Sequence, residues 1–141
     1  MKKLTCLFII CLLTSTVSFA LAESKIPSLV GTWKVQTEGG ALIKADKAST
    51  QSHHGTKFTK FEAEFVVEKQ KGRVFHGYFK SARATEKLVG VIGHDNKTAY
   101  WADHDGFGQA KILSSGKMQV IYLHASPTES VAAAATFTKN K

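Results

Sequence analysis

Between residue 61 and the C-terminus, the gaps separating β-patterned runs are all short, about two to six residues. A parallel neighbour needs a crossover of roughly a dozen residues or more, so consecutive strands here must pair antiparallel with one another. The runs are marked by period and punctuation. Phe61, Ala63, Phe65 and Val67 alternate with mostly Glu over residues 60–68, and Lys69-Gln70-Lys71-Gly72 turns the chain. It returns through Phe75, Gly77 and Phe79. Leu88, Gly90 and Ile92 then alternate with Val89 and Val91, and a turn at residues 94–97 leads to a run that carries Tyr100 and Trp101 on opposite faces. Runs over 107–113, 118–124 and 130–139 follow, the last alternating Val131, Ala133, Ala135 and Phe137.

With residues 31–37 as the first strand and a weak run at 41–45, the count is eight or nine. A meander of that length curls with its twist and removes its edges by closing. The expected fold is therefore all-β, an up-and-down antiparallel β-barrel of about eight strands. Leu29-Val30-Gly31-Thr32-Trp33-Lys34-Val35 opens it, with the indole closing the bottom. Residues 46–57 have no period and make the one long loop.

Ahead of the barrel, Lys2 and Lys3 precede an apolar run over 4–13 and a small, polar stretch ending Ala20-Leu21-Ala22. Those three parts read as a secretory signal peptide, 1–22, cleaved before Glu23. The apolar run is short of the roughly 20 residues that span a bilayer, so no integral membrane anchor is expected after cleavage. The short Lys-Lys start points to a bacterial periplasmic or secreted product. Both cysteines, Cys6 and Cys11, fall in this leader, leaving residues 23–141 as a single domain without disulfides. Removing 22 residues from 141 leaves 119, enough to bury one core.

The net charge of +8 becomes +6 without the leader, and it is carried by lysine spread along the chain; the only arginines are Arg73 and Arg83. Base-edge and phosphate readout favours planar arginine forks, so nucleic acid is not an expected partner. No Gly-x-Ser-x-Gly elbow occurs, and residues 23–141 hold no cysteine nucleophile. Asp103-His104-Asp105-Gly106 lacks the later acidic ligands of a calcium loop and reads as a turn. His53-His54 has no supporting ligand spacing. Neither a metal nor a cofactor is expected.

Gly31-Thr32-Trp33 at the start and Thr136-Phe137-Thr138-Lys139 at the end resemble the calycin barrels, and more narrowly the avidin and streptavidin family. The resemblance covers the two ends and the overall length. It implies that Lys139 lies near the Trp33 indole. The family's biotin site does not carry over. Val35 stands where the family has an Asn, Gly39 where it has a ligand-contacting Ser, and Ala135 replaces the Asp before the final Thr-Phe-Thr-Lys. Residues 127–129 occupy the region of the pocket tryptophan.

The alanines of the last strand, with Gly77 and Gly90, put small side chains among inward aromatics. Space for a small apolar or aromatic ligand follows if the rings do not fill it. The candidate lumen residues are Trp33, Phe65, Phe79, Tyr100, Tyr122, Ala133 and Ala135. The first functional expectation is thus an exported, non-enzymatic barrel that binds a small molecule. An interaction or inhibitor barrel acting through its loops is the alternative, and an enzyme using His124 or Asp103 at the barrel mouth is a third. Val66, Val89, Val91, Trp101, Ile112 and Ile121 form an outer apolar set that suggests a homo-oligomer, unless a one-residue slip exchanges the faces.

Overall fold

A computed structural model describes residues 25–43 and 55–141. The leader expected at 1–22 and positions 46–54 of the long loop lie outside the described residues. Eight strands follow in chain order: β1 (Gly31–Ile43), β2 (Gly55–Lys71), β3 (Val74–Lys80), β4 (Thr85–Ile92), β5 (Thr98–Ala102), β6 (Gly106–Ser114), β7 (Lys117–Ala125) and β8 (Glu129–Lys139). Each pairs antiparallel with the next, and β8 pairs with β1 to close the barrel, the up-and-down antiparallel architecture expected. The described part of the weak run at 41–45, residues 41–43, is not a separate strand; 44 and 45 lie outside the described residues. Residues 41–43 continue β1 through Gly39-Gly40 in unbroken register with both β2 and β8. Likewise residues 55–57, expected in the loop, begin β2.

One end is sealed from below. Trp33 is fully buried, and its indole Nε1 donates to the Leu29 carbonyl at 2.9 Å. Gln70 fixes the incoming segment: its amide oxygen accepts from Leu29 N at 2.8 Å and its Nε2 donates to the Pro27 carbonyl at 2.9 Å. The Lys139 ammonium lies 5.2 Å from the centre of the Trp33 ring, as the resemblance of the chain ends implied.

Above that floor the interior is filled by rings. Phe65, Trp101 and Phe137 form a tilted cluster with centroids 5.0, 5.1 and 6.0 Å apart. The inward glycines do not open a cavity beside them. Phe75 pairs across strands with Gly90, and Trp101 with Gly108. A Cβ on Gly90 would lie 2.2 Å from Phe75 Cζ, and one on Gly108 2.1 Å from Trp101 Cζ2. Large residues are thus seated on small ones across the strands, the interdigitation a tapering barrel interior requires.

The same register corrects one strand's faces. Ile92 pairs with Ala99 and Gly90 with Trp101, which turns Trp101 inward at 6% exposure and Tyr100 outward at 45%. Tyr100 is therefore not a lumen residue, and Trp101 leaves the outer set. Ile112 also packs against the core, whereas Val89, Val91 and Ile121 are exposed as expected.

Candidate functional site at the open mouth

The end opposite Trp33 gathers the chain's inward polar groups. On β4 the inward alternation of Ile92, Gly90 and Leu88 continues to Glu86, and on β7 that of Met118 and Val120 continues to Tyr122 and His124. Each strand thus begins or ends with a polar residue stacked over apolar ones. Asp103 and Asp105 lie in the short turn joining β5 to β6, and Glu129 opens β8. Inward alternation, not proximity in sequence, brings these residues to one rim.

Two units are distinguishable within the rim. Asp103 is fully engaged: Oδ1 accepts from the Gly106 amide at 2.8 Å and Oδ2 from the Tyr122 hydroxyl at 2.9 Å. Gly106 admits the phenol, since a Cβ there would lie 2.3 Å from Tyr122 Oη. The four-residue sequence that superficially resembled a calcium loop is therefore a side-chain-locked turn. The second unit is less satisfied. His124 Nδ1 sits 3.0 Å from Asp105 Oδ1 and its Nε2 4.0 Å from Glu129 Oε1. The first contact is not a hydrogen bond and the second is too long to be one, so among the described residues Asp105 Oδ1 and His124 Nε2 are buried atoms without a hydrogen-bond partner. Such atoms carry an uncompensated desolvation cost.

Four carboxylates, with the imidazoles of His124 and His104 beside them, make a negative spot on a protein of net charge +8. The electrostatics agree with this geometry. Burial first, then repulsion from Asp103 and Asp105, raises the Glu86 carboxyl above its ordinary value. Burial and the Asp103 charge likewise push the Tyr122 phenol far up, so it is a permanent hydrogen-bond donor. The rim can accept protons and hydrogen bonds, and it favours positive charge.

Of the sequence-predicted site residues, Tyr122 is in the rim, and Ala133, paired with it, forms part of the wall below. Phe79 is partly buried and pairs with Glu86. Ala135 is packed lower against the core, and Trp33 and Phe65 are core residues at 0% and 1% exposure. Asp103 and His124, the two mouth candidates, are both present. Glu86, Asp105 and Glu129 were not anticipated. Glu86 was readable, because it continues the Leu88-Gly90-Ile92 alternation. Phe61 is 42% exposed because β2 runs past β3 there: the β2–β3 register ends at Glu64 with Lys80. No three His, Cys, Asp or Glu side chains among the described residues are arranged to hold a metal ion.

No family model matches the sequence, and no curated protein matches it. The chain is similar to two solved structures. One is the S-type phycobiliprotein lyase CPES from Guillardia theta, at 10% identity over 80% of this chain and 89% of that one, with a TM-score of 0.34. The other is the ywiB protein from Bacillus subtilis, at 6% identity over 78% of this chain and 94% of that one, with a TM-score of 0.33.

Proposed function

We propose that this protein binds a small molecule at the open mouth of its barrel, as an exported binding protein of the bacterial envelope or exterior. The deep lumen offers little to a ligand, since ring-on-glycine packing occupies it. The ligand sits instead on the rim, with an apolar body against Phe79, Phe61 and Ala133 and a cationic, donor-rich head among the carboxylates. The carrying observation is that His124 Nε2 and Asp105 Oδ1, both buried in a negative rim, have no hydrogen-bond partner among the described residues, although His124 Nδ1 lies 3.0 Å from Asp105 Oδ1. A donor from a ligand supplies what Asp105 lacks, and Tyr122, held on Asp103, orients it.

Phenethylamine and phenylacetate share a ring and differ in charge, so they test this reading by thermal shift. The amine is expected to raise the melting temperature and the carboxylate to leave it unchanged. At tenfold its Kd a ligand adds about 1.4 kcal/mol, and Asp105→Asn should lose that gain. Equal effects from both compounds, or a preference for the carboxylate, would sink the proposal. Convergence of titratable groups on one rim also favours a second reading, proton-transfer catalysis with the His124–Asp105 pair as base. Mass analysis of bound ligand after incubation separates the two: unchanged ligand is binding, altered ligand is turnover.

A further inference from the structure

The outer wall of β4 to β8 is unlike the rest of the surface. Across it the register aligns Val91, Tyr100, Gln109 and Ile121 in one row, and Val89, Ala102, Phe107 and Leu123 in the next. Neither row contains a charge, although lysines stand at Lys87 and Lys111, the next outward positions along β4 and β6. From their fractional exposures, the six large residues of these rows present about 600 Å² of accessible surface. That is the upper end for a monomer's largest apolar patch and near the roughly 800 Å² each partner of a standard interface covers.

The wall also has relief. Tyr100 and Phe107 project from the β5–β6 side. Beside them a hollow of about 890 Å³ lies over the small side chains of Ala134 and Thr136 and is shared at its edge by Gln109 and Ile121. Its far side carries Glu38, paired with Lys60 at 3.5 Å, and Glu62, paired with Lys34 at 3.2 Å, and Lys111 borders it.

We infer that this wall is a twofold interface between two copies of the chain, the Tyr100–Phe107 ridge of each lying in the Ala134–Thr136 hollow of the other. A twofold contact requires knob and hollow on the same face of one molecule, and that is the arrangement here. The two apolar rows carry no charge, and Glu38 and Glu62 at the hollow's far side are paired with Lys60 and Lys34, which limits repulsion between two basic molecules at this contact. The residues are half-exposed on the outer face of a sheet, which suits packing of one sheet face on another.

Sedimentation velocity of the purified protein over a concentration series tests this, together with pelleting on anionic phospholipid vesicles. The expected result is a dimer that does not pellet. Ile121→Lys points outward, so it should leave the melting temperature unchanged while weakening dimerisation by at least about a hundredfold, because twofold symmetry buries the unpaired charge twice. Phe107→Asp supplies the same test should Ile121→Lys fold poorly, and Lys87→Glu, beyond the patch, should remain dimeric. A wild-type monomer, whether or not it binds vesicles, overturns the inference, as does a dimer that persists in both variants.

Discussion

Replacing Gly108 by alanine adds one methyl group where the structure places the Trp101 ring, with Cζ2 at 2.1 Å from the new carbon. Carbon atoms rest about 3.5–4.0 Å apart, so the indole must withdraw by more than about 1 Å. It has nowhere to go, being 6% exposed and packed at 5.0 Å on Phe65 and 6.0 Å on Phe137. Overpacking of this kind costs about 1–3 kcal/mol, and the rigidity of the ring cluster puts the cost near the upper figure. A domain of this size loses about 3–6 °C of melting temperature per kcal/mol, which predicts a fall of about 10 °C or more. Calorimetry measures the fall, and tryptophan emission should shift with it, since Trp33 and Trp101 are the only indoles. Gly116→Ala is the control: nothing lies within 4 Å of its added carbon, and it should be neutral or slightly stabilising. If Gly108→Ala melts within about 2 °C of the parent, the ring does not cover the glycine and the account of a filled lumen is wrong.

Phe65→Ala, which removes the ring shared by Trp101 and Phe137, should cost about 3–5 kcal/mol in denaturant unfolding. Tyr122→Phe should cost about 1–2 kcal/mol by stranding one Asp103 oxygen, and spectrophotometric alkaline titration of the parent should show one phenol that ionises only as the protein unfolds. The raised Glu86 carboxyl means the folded state holds that proton more tightly than the unfolded chain. Stability should therefore decline as pH rises from the ordinary Glu value through the raised one. Glu86→Gln should flatten that part of the pH profile of the melting temperature.

The meander was legible because alternation and short connectors are properties of one chain read in order. Facing was legible only where one side of a strand is apolar and the other charged, as at Phe61 to Val67. On β5 both Tyr100 and Trp101 are aromatic, and only pairing with Gly90 and Ile92 decides between them. The glycines misled for a related reason. A sequence shows that Gly90 and Gly108 lack side chains but not that rings on the neighbouring strands occupy the space. Gly39-Gly40 interrupted the pattern of β1 without interrupting its hydrogen-bonded register. At the mouth, Asp103 and His124 stood out as polar residues at strand ends. Asp105 and Glu129 acquire meaning only once the β6–β7 and β7–β8 pairings bring the β5–β6 turn and the start of β8 around His124.

The claim that the carboxylate-rich rim is the binding site is tested most directly by backbone amide shift mapping during a titration with phenethylamine. Saturable shifts are predicted at Glu86, Asp103, Asp105, Gly106, Tyr122 and His124, with Phe65 and Phe137 in the core and Ile121 on the outer wall unmoved. Saturable shifts centred on the outer wall, or none at the rim, would contradict it.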